Sequence, residues 1–473
     1  MQTILTGIVI LMLGVSSVYA QDESAYYTEP YQKKALEIYR ASIPYRTALS
    51  YGQVPAFTNF LAAEFRNGGF PNDDVHILPF TREDGEQTAM LVIRYRGDGS
   101  AKQKPILLLG HMDVVDAFEQ DWERDPFTLI EQDGYFFGRG AYDNKLGTTI
   151  LTTAFLRLKA DNFRPTRDLI IAFSGDEETG METTSALFST YSDLTDAEFA
   201  LNGDAGGGVL NSNHEPTSFI LQAAEKTHAK FELTVRNPGG HSSRPAIKNA
   251  IYELSDALKR IEAHRFPVRW NETSRRYFEL TANTTTGELS EAMQKFAENP
   301  DNEEATDILF AYPSQVGITR TTCVATMLRG GHAPNALPQS ATATLSCRIF
   351  PGIAVADIKA ELQRIVANDE LEIDELGTAF SSPASPLRDD VVAAVTRAVH
   401  SLYPKVPVIP YMAPYATDGK FTRAAGIPTY GVMGLFIRSE DSFAHGLNER
   451  VPVRSFYGAL EYWDVLLREL AGP

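Results

Sequence analysis

Cysteine is nearly absent: Cys323 and Cys347 are the only two in 473 residues. A disulfide-knit scaffold is thereby excluded, and the fold must stand on a hydrophobic core and on any metal it binds. Basic residues are also scarce, 43 against 61 acidic ones, which leaves a formal net charge of −18. Such a surface repels phosphate backbones and anionic membranes, so no nucleic-acid or membrane partner is expected and a small-molecule or peptide substrate is favoured. Beyond the first twenty residues no run is long and apolar enough to span a bilayer. Those twenty lack any charged side chain; Ile4 to Val15 is apolar, and Ser-Ser-Val-Tyr-Ala then ends on a small residue. The pattern reads as a secretory signal peptide over residues 1–20, without the usual basic leader, and predicts export to the periplasm or the medium. An N-terminal membrane anchor is the other reading.

The length exceeds what one ordinary core holds, so two domains are expected. From residue 31 to 224 short apolar runs, Ile106-Leu-Leu-Leu and Leu169-Ile-Ile-Ala-Phe, flank a stretch with Leu146, Ile150, Leu151, Ala154, Phe155 and Leu158 at helical spacing. Buried strands joined by a crossover helix predict an α/β domain with a mostly parallel sheet. Between 225 and 378 the pattern changes. An alternating strand carries Phe231, Leu233 and Val235, and a helix carries Ile251, Leu254, Leu258 and Ile261. Two alternating strands at 321–329 and 341–349, a helix with Ile358, Leu362 and Ile365, and a short strand at 371–373 complete β-α-β-β-α-β, a ferredoxin-like α+β module. Residues 264–320 interrupt it without a clear period. Helix and strand patterns of the first kind resume at 391–402 and 428–433. The expected order is thus a signal peptide (1–20), the first part of an α/β domain (21–224), an inserted module (225–378) and the rest of the α/β domain (379–473).

His111 and Asp113 directly follow the strand at 106–109, where open α/β sheets hold ligands. A neutral imidazole binds zinc, and a carboxylate two residues on can fix its other ring nitrogen, although a hydrogen-bonded turn reads equally well. Gly138-Arg-Gly-Ala-Tyr-Asp143 brings a carboxylate to the start of the crossover helix, as a metal ligand or simply as an N-cap. Ser174-Gly-Asp-Glu177-Glu178 sets two acids side by side after another strand. Adjacent carboxylates need a cation or a proton between them, so one can bind metal while the other stays free as a general base. Asp204, in a glycine-rich turn, and His445, near the end, complete a set of five nitrogen and oxygen donors: His111, Asp143, Glu178, Asp204 and His445. Five donors suffice for two ions that share a carboxylate.

These motifs, with Gly239-Gly-His-Ser-Ser243, Asn335-Ala-Leu-Pro338, Arg348, Thr417-Asp418-Gly-Lys420 and His445-Gly-Leu-Asn-Glu-Arg450, resemble the co-catalytic zinc exopeptidases. That family includes bacterial glutamate carboxypeptidase, aminoacylase, carnosinase, peptidase T and succinyl-diaminopimelate desuccinylase, and the match runs nearly end to end. The resemblance implies two zinc ions, and a nitrogen and oxygen donor set without thiolate lets cobalt or manganese replace them. Asp143 would bridge them, His111 and Asp204 completing one site and Glu178 and His445 the other. Glu177 would be the general base, Asp113 would orient His111, and His241 would come from a homodimer partner through the inserted domain, which serves as lid and dimer surface. Asn335 and Arg348, with Lys420 where the family has arginine, would hold the substrate carboxylate. A second departure is Asn144, where the family often has an acid.

The implied reaction is cleavage of an amide bond beside a free carboxylate in a peptide, as by a carboxypeptidase or dipeptidase, or in an N-acyl amino acid, as by an aminoacylase. An aminopeptidase needs an acidic pocket, against which Arg348 argues; a non-catalytic binding domain would not retain all five donors and Glu177. Alternation places Arg348 opposite the apolar residues of its strand. Cys323 and Cys347 are symmetric about residue 335, so a regular hairpin would set them opposite each other; a disulfide and two small buried thiols both remain open.

Overall fold

The computed structural model describes residues 28–473; the expected signal peptide lies outside the described residues. Among them, no helix is long and apolar enough to cross a membrane. The main sheet has ten strands. In order across it run Val75–Thr81, Gln87–Tyr95, Leu169–Ser174, Ile106–His111, Phe199–Asn202, Thr429–Gly431, Pro216–Glu225, Gly207–Leu210 and Phe436–Arg438, with Val408–Ala413 also pairing to Pro216–Glu225. The centre is parallel, because Ile106–His111 pairs in parallel with both Leu169–Ser174 and Phe199–Asn202, and Thr429–Gly431 continues that direction. The Val75–Tyr95 edge is antiparallel.

The central strands are buried throughout, which is why they read as unbroken apolar runs rather than alternations. The crossover helix Lys145–Ala160 packs against the helices Pro30–Ser42 and Val453–Ala471 as well as the sheet. All six of its periodic apolar residues are buried. Thr148, Thr149, Thr152 and Thr153 are buried too, so the helix is enclosed nearly all round.

A second sheet, entirely antiparallel, runs Thr322–Gly330, Ser340–Ile349, Thr227–Arg236, Glu372–Glu375. With the helices Ala250–Ala263 and Val355–Val366 it forms the β-α-β-β-α-β module. The last strand begins one residue later than 371–373 suggests. Ser340–Ile349 alternates strictly, burying Ala341, Ala343, Leu345, Cys347 and Ile349 against Leu254, Ile261 and Leu362. Its neighbour Thr322–Gly330 does not. It lies at the edge, slips register between Ala325 and Met327, and leaves Val324, Met327 and Leu328 50–66% exposed. Cys323 and Cys347 are register partners and form a disulfide.

Residues 264–320, expected to lack a period, fold into four short helices: Glu272–Ala282, Glu288–Glu298, Glu303–Ala311 and Pro313–Thr319. Asn271 caps the first by accepting from Ser274 N at 2.8 Å, and Asn302 caps the third by accepting from Ala305 N at 2.9 Å. Four of their buried positions are alanine (Ala282, Ala292, Ala297, Ala305), which blurs the helical stripe in the sequence. Together with Phe278, Phe296 and Leu309 they form a core that also takes in Ala224 and Met412 of the main sheet and Phe350 beside the module.

Candidate metal centre

Three neighbouring parallel strands end side by side. His111 closes one and pairs with Ser174 at the end of the next, while Leu109 pairs with Asn202 at the end of the third. The residues just past these ends, Asp113, Glu177, Glu178 and Asp204, therefore converge at the carboxyl edge of the sheet, where the ends of parallel strands open a crevice. Asp143 enters from the turn before the crossover helix. His445 enters from the segment between Phe436–Arg438 and Arg450–Pro452, on a left-handed backbone with φ 63°.

The result is a chain of donors centred on Asp143. His111 Nε2 lies 2.9 Å from Asp143 Oδ1 and 3.5 Å from Asp204 Oδ1. On the other side, His445 Nε2 lies 3.1 Å from Asp143 Oδ2 and 2.9 Å from Glu178 Oε2. One ligand atom each from His111, Asp143 and Glu178 falls within 4.8 Å of the others. Asp143 does not cap the helix: Asn144 occupies that position.

The electrostatics demand positive charge. Hydrogen bonds to Asp143 and Glu178 push His445 up to about 10, against its partial burial. Burial opposes a charged His111, yet Asp204, Asp113 and Asp143 raise its proton affinity well above the usual imidazole range. Burial pushes Asp204 up to about 7, with its charged neighbours adding and subtracting. Burial also acts on Asp143, but the two imidazoles hold it below the usual carboxylate range. Three carboxylates and two imidazoles, with no lysine or arginine among them, fit divalent metal of intermediate softness.

Glu177 is partly buried and its carboxylate takes no hydrogen bond among the described residues; burial raises its proton affinity well above that of an ordinary glutamate, with His111 opposing and Asp204, Asp418 and Glu178 reinforcing the rise. Asp113 acts differently from expectation. Its main-chain carbonyl, not its carboxylate, is the close partner of His111 Nδ1 at 2.9 Å, the carboxylate standing at 3.5 Å. The carboxylate instead accepts from Glu177 N and Glu178 N, both at 3.0 Å, and so holds the turn that presents those two acids. Asn144, standing where an acid is common, donates to Asp204 Oδ1 at 2.7 Å. Gly147 leaves it room: a Cβ there would come within 2.4 Å of Asn144 Oδ1.

The remaining expected residues lie on the module or at its border. His241 and Asn335 are exposed and adjacent, since Gly240–His241 pairs with Ala336–Leu337 and Ser242 N donates to Asn335 O at 3.0 Å. Among the described residues neither makes a hydrogen bond or ion pair with the Asp143 cluster. Arg348 is half-buried with no carboxylate partner among the described residues, facing away from the module core as alternation requires. Its cross-strand neighbour is His228, unmarked in the sequence, whose Nε2 lies 3.0 Å from Ser346 Oγ. Desolvation and then the nearby Arg348 charge lower the proton affinity of this exposed ring. Lys420 is partly buried, and desolvation lowers its proton affinity, with Glu177 the first of the charges that counter it.

Residues 107–469 match the model described as Peptidase family M20/M25/M40. The N-fatty-acyl-amino acid synthase/hydrolase of Mus musculus is 28% identical over 368 residues, 76% of this chain and 73% of that protein. An M20 family metallo-carboxypeptidase from Sulfolobus solfataricus superposes with TM-score 0.68 at 18% identity, covering 92% of this chain and 99% of that one. A dinuclear metal binding peptidase from Bacillus subtilis gives TM-score 0.58 at 12% identity, covering 92% and 97%.

Proposed function

The chain belongs to peptidase family M20/M25/M40, and on that footing we propose that it is a two-zinc hydrolase cutting the amide bond beside a free carboxylate in a peptide or N-acyl amino acid. One observation carries the reading: the two oxygens of Asp143 face two separate histidine–carboxylate pairs, His111 with Asp204 and His445 with Glu178. His111, Asp143 and Asp204 would hold one ion and Asp143, Glu178 and His445 the other. Bound there, zinc would acidify a water and draw charge from the scissile carbonyl.

The chain's own residues supply the rest. Glu177, whose carboxylate takes no hydrogen bond among the described residues, takes the proton of the attacking water and returns it to the leaving nitrogen. Asp113 holds the Glu177–Glu178 turn through both main-chain amides. Arg348 grips the substrate carboxylate through a two-pronged contact, with Asn335 and Lys420 adding donors. The mouse relative is an N-fatty-acyl-amino acid synthase/hydrolase, which supports an N-acyl amino acid, and the Sulfolobus relative is a carboxypeptidase, which supports a peptide; both present the same amide next to a carboxylate. Exposed Val324, Met327 and Leu328 on the edge strand, with Tyr252 on the adjacent helix, support a homodimer through the module, and His241 would reach the site from the second copy. Residues 1–20 support export. Turnover of a panel of dipeptides and N-acyl amino acids, each with free and amidated carboxyl ends, tests the reading: equal rates on amidated substrates would overturn it.

A further inference from the structure

Two charged residues in the site-bearing motifs, Arg139 and Glu449, have no part in the reaction above, yet they form a fully buried ion pair, Nη1 to Oε2 at 2.6 Å. Glu449 is 0% exposed and Arg139 3%. Every partner of the Glu449 carboxylate is a donor from the turn that carries Asp143. Oε1 accepts from Tyr142 N at 2.6 Å and from Asp143 N at 2.9 Å; Oε2 accepts from Gly140 N at 3.1 Å and from Arg139. Arg139 then reaches back to the other loop, its Nη2 donating to Gly446 O at 3.2 Å and, at 3.5 Å, to His445 O. Main-chain bonding closes the circuit, Gly138 N donating to Glu449 O at 3.1 Å.

The circuit joins two segments some three hundred residues apart in sequence, and each carries a donor of the proposed centre. A carboxylate is required because four hydrogens converge on two oxygens, and a buried donor left facing another donor is costly. Glutamine has the same shape, but whichever way its amide is turned, the NH2 confronts two donors. The turn must then rotate, and Asp143, whose own N–H is one of the four, turns with it.

We propose that Glu449 is a positioning residue for both metal sites at once, setting Asp143 directly and His445 through Arg139. The inference rests on the two-metal reading but is separable from it. Zinc affinity of the full chain is measured by competition with a chromophoric chelator, and the fold of the metal-free protein by circular dichroism and urea unfolding. Glu449→Gln is expected to weaken both zinc ions together by about 10–100-fold, the usual effect of disturbing a ligand's support, while excess zinc restores kcat with KM little changed. A merely structural residue would lower the urea midpoint without that rescue by zinc. The double variant Arg139→Met, Glu449→Gln removes both buried charges and is expected to show the same zinc deficit if the single variant does not fold. A folded variant binding zinc as tightly as the wild type overturns the proposal, and so does a double variant that fails to fold. Wild-type protein that binds no zinc overturns the two-metal reading instead.

Discussion

His445 Nε2 lies 3.1 Å from Asp143 Oδ2, across the carboxylate from the oxygen that faces His111. A shared carboxylate ties the two halves of the centre together, so its loss is not equivalent to the loss of a donor used once. Asp143→Ala is expected to abolish binding of both zinc ions, whereas Asp204→Ala should leave one bound. Metal content after gel filtration decides, and two ions retained by Asp143→Ala would sink the shared-ligand assignment.

Glu177→Gln should keep both ions and lose turnover by about 10²–10⁴, the range for a general acid–base group. Metal content and kcat measured on the same preparation check this. Near-normal kcat would move the base elsewhere.

Arg348 has no acidic partner among the described residues, in a chain with eighteen more acids than bases. Arg348→Ala should weaken kcat/KM by about 2–4 kcal/mol on free-carboxylate substrates, the scale for truncating one member of a desolvated charge pair. Carboxyl-amidated substrates should be poor for the wild type and gain nothing from the mutation. An equal loss on both substrate forms would mean that Arg348 is not reading the carboxylate.

Met327→Glu with Leu328→Glu places charge on side chains already 50% and 66% exposed, so folding should be spared. Sedimentation is expected to show a dimer for the wild type and a monomer for the variant, with activity falling as His241 of the second copy is withdrawn. Full activity in a monomer would refute the shared site.

The Cys323–Cys347 bond closes a separation of 24 residues. Replacing both cysteines by alanine is expected to lower stability by about 2–4 kcal/mol, mainly by freeing the unfolded chain. Urea midpoints without reductant measure this; coincident curves would show that the bond contributes nothing.

Most of the centre was legible because its donors sit at strand ends, where an apolar run stops and a short polar motif begins. His111, Glu178 and Asp204 are such residues, and the structure gathers them with Asp143 and His445. The role of Asp113 was legible only in part: spacing puts it beside His111, but whether carbonyl or carboxylate makes the contact depends on a turn the spacing does not specify. Glu449 was within reach as an acid four residues past His445, yet nothing local says that its partners are amides three hundred residues earlier. The strand at 321–329 was expected to alternate, yet it lies at the sheet edge and leaves Val324, Met327 and Leu328 on the surface.

The four-helix insertion has a consequence for anyone shortening this chain. Residues 264–320 look like a loop that could be trimmed, but Phe278, Met293 and Phe296 share one core with Ala224 and Met412 of the main sheet and with Phe350. The rings of Tyr277 and Tyr411 pack at a tilt of 50°, 5.7 Å between centres. Excising the segment would strip the cover from the flank of the site-bearing sheet and from the join with the module together. The stretch is a buttress between the two bodies, and a truncated protein would expose a seam rather than lose a decoration.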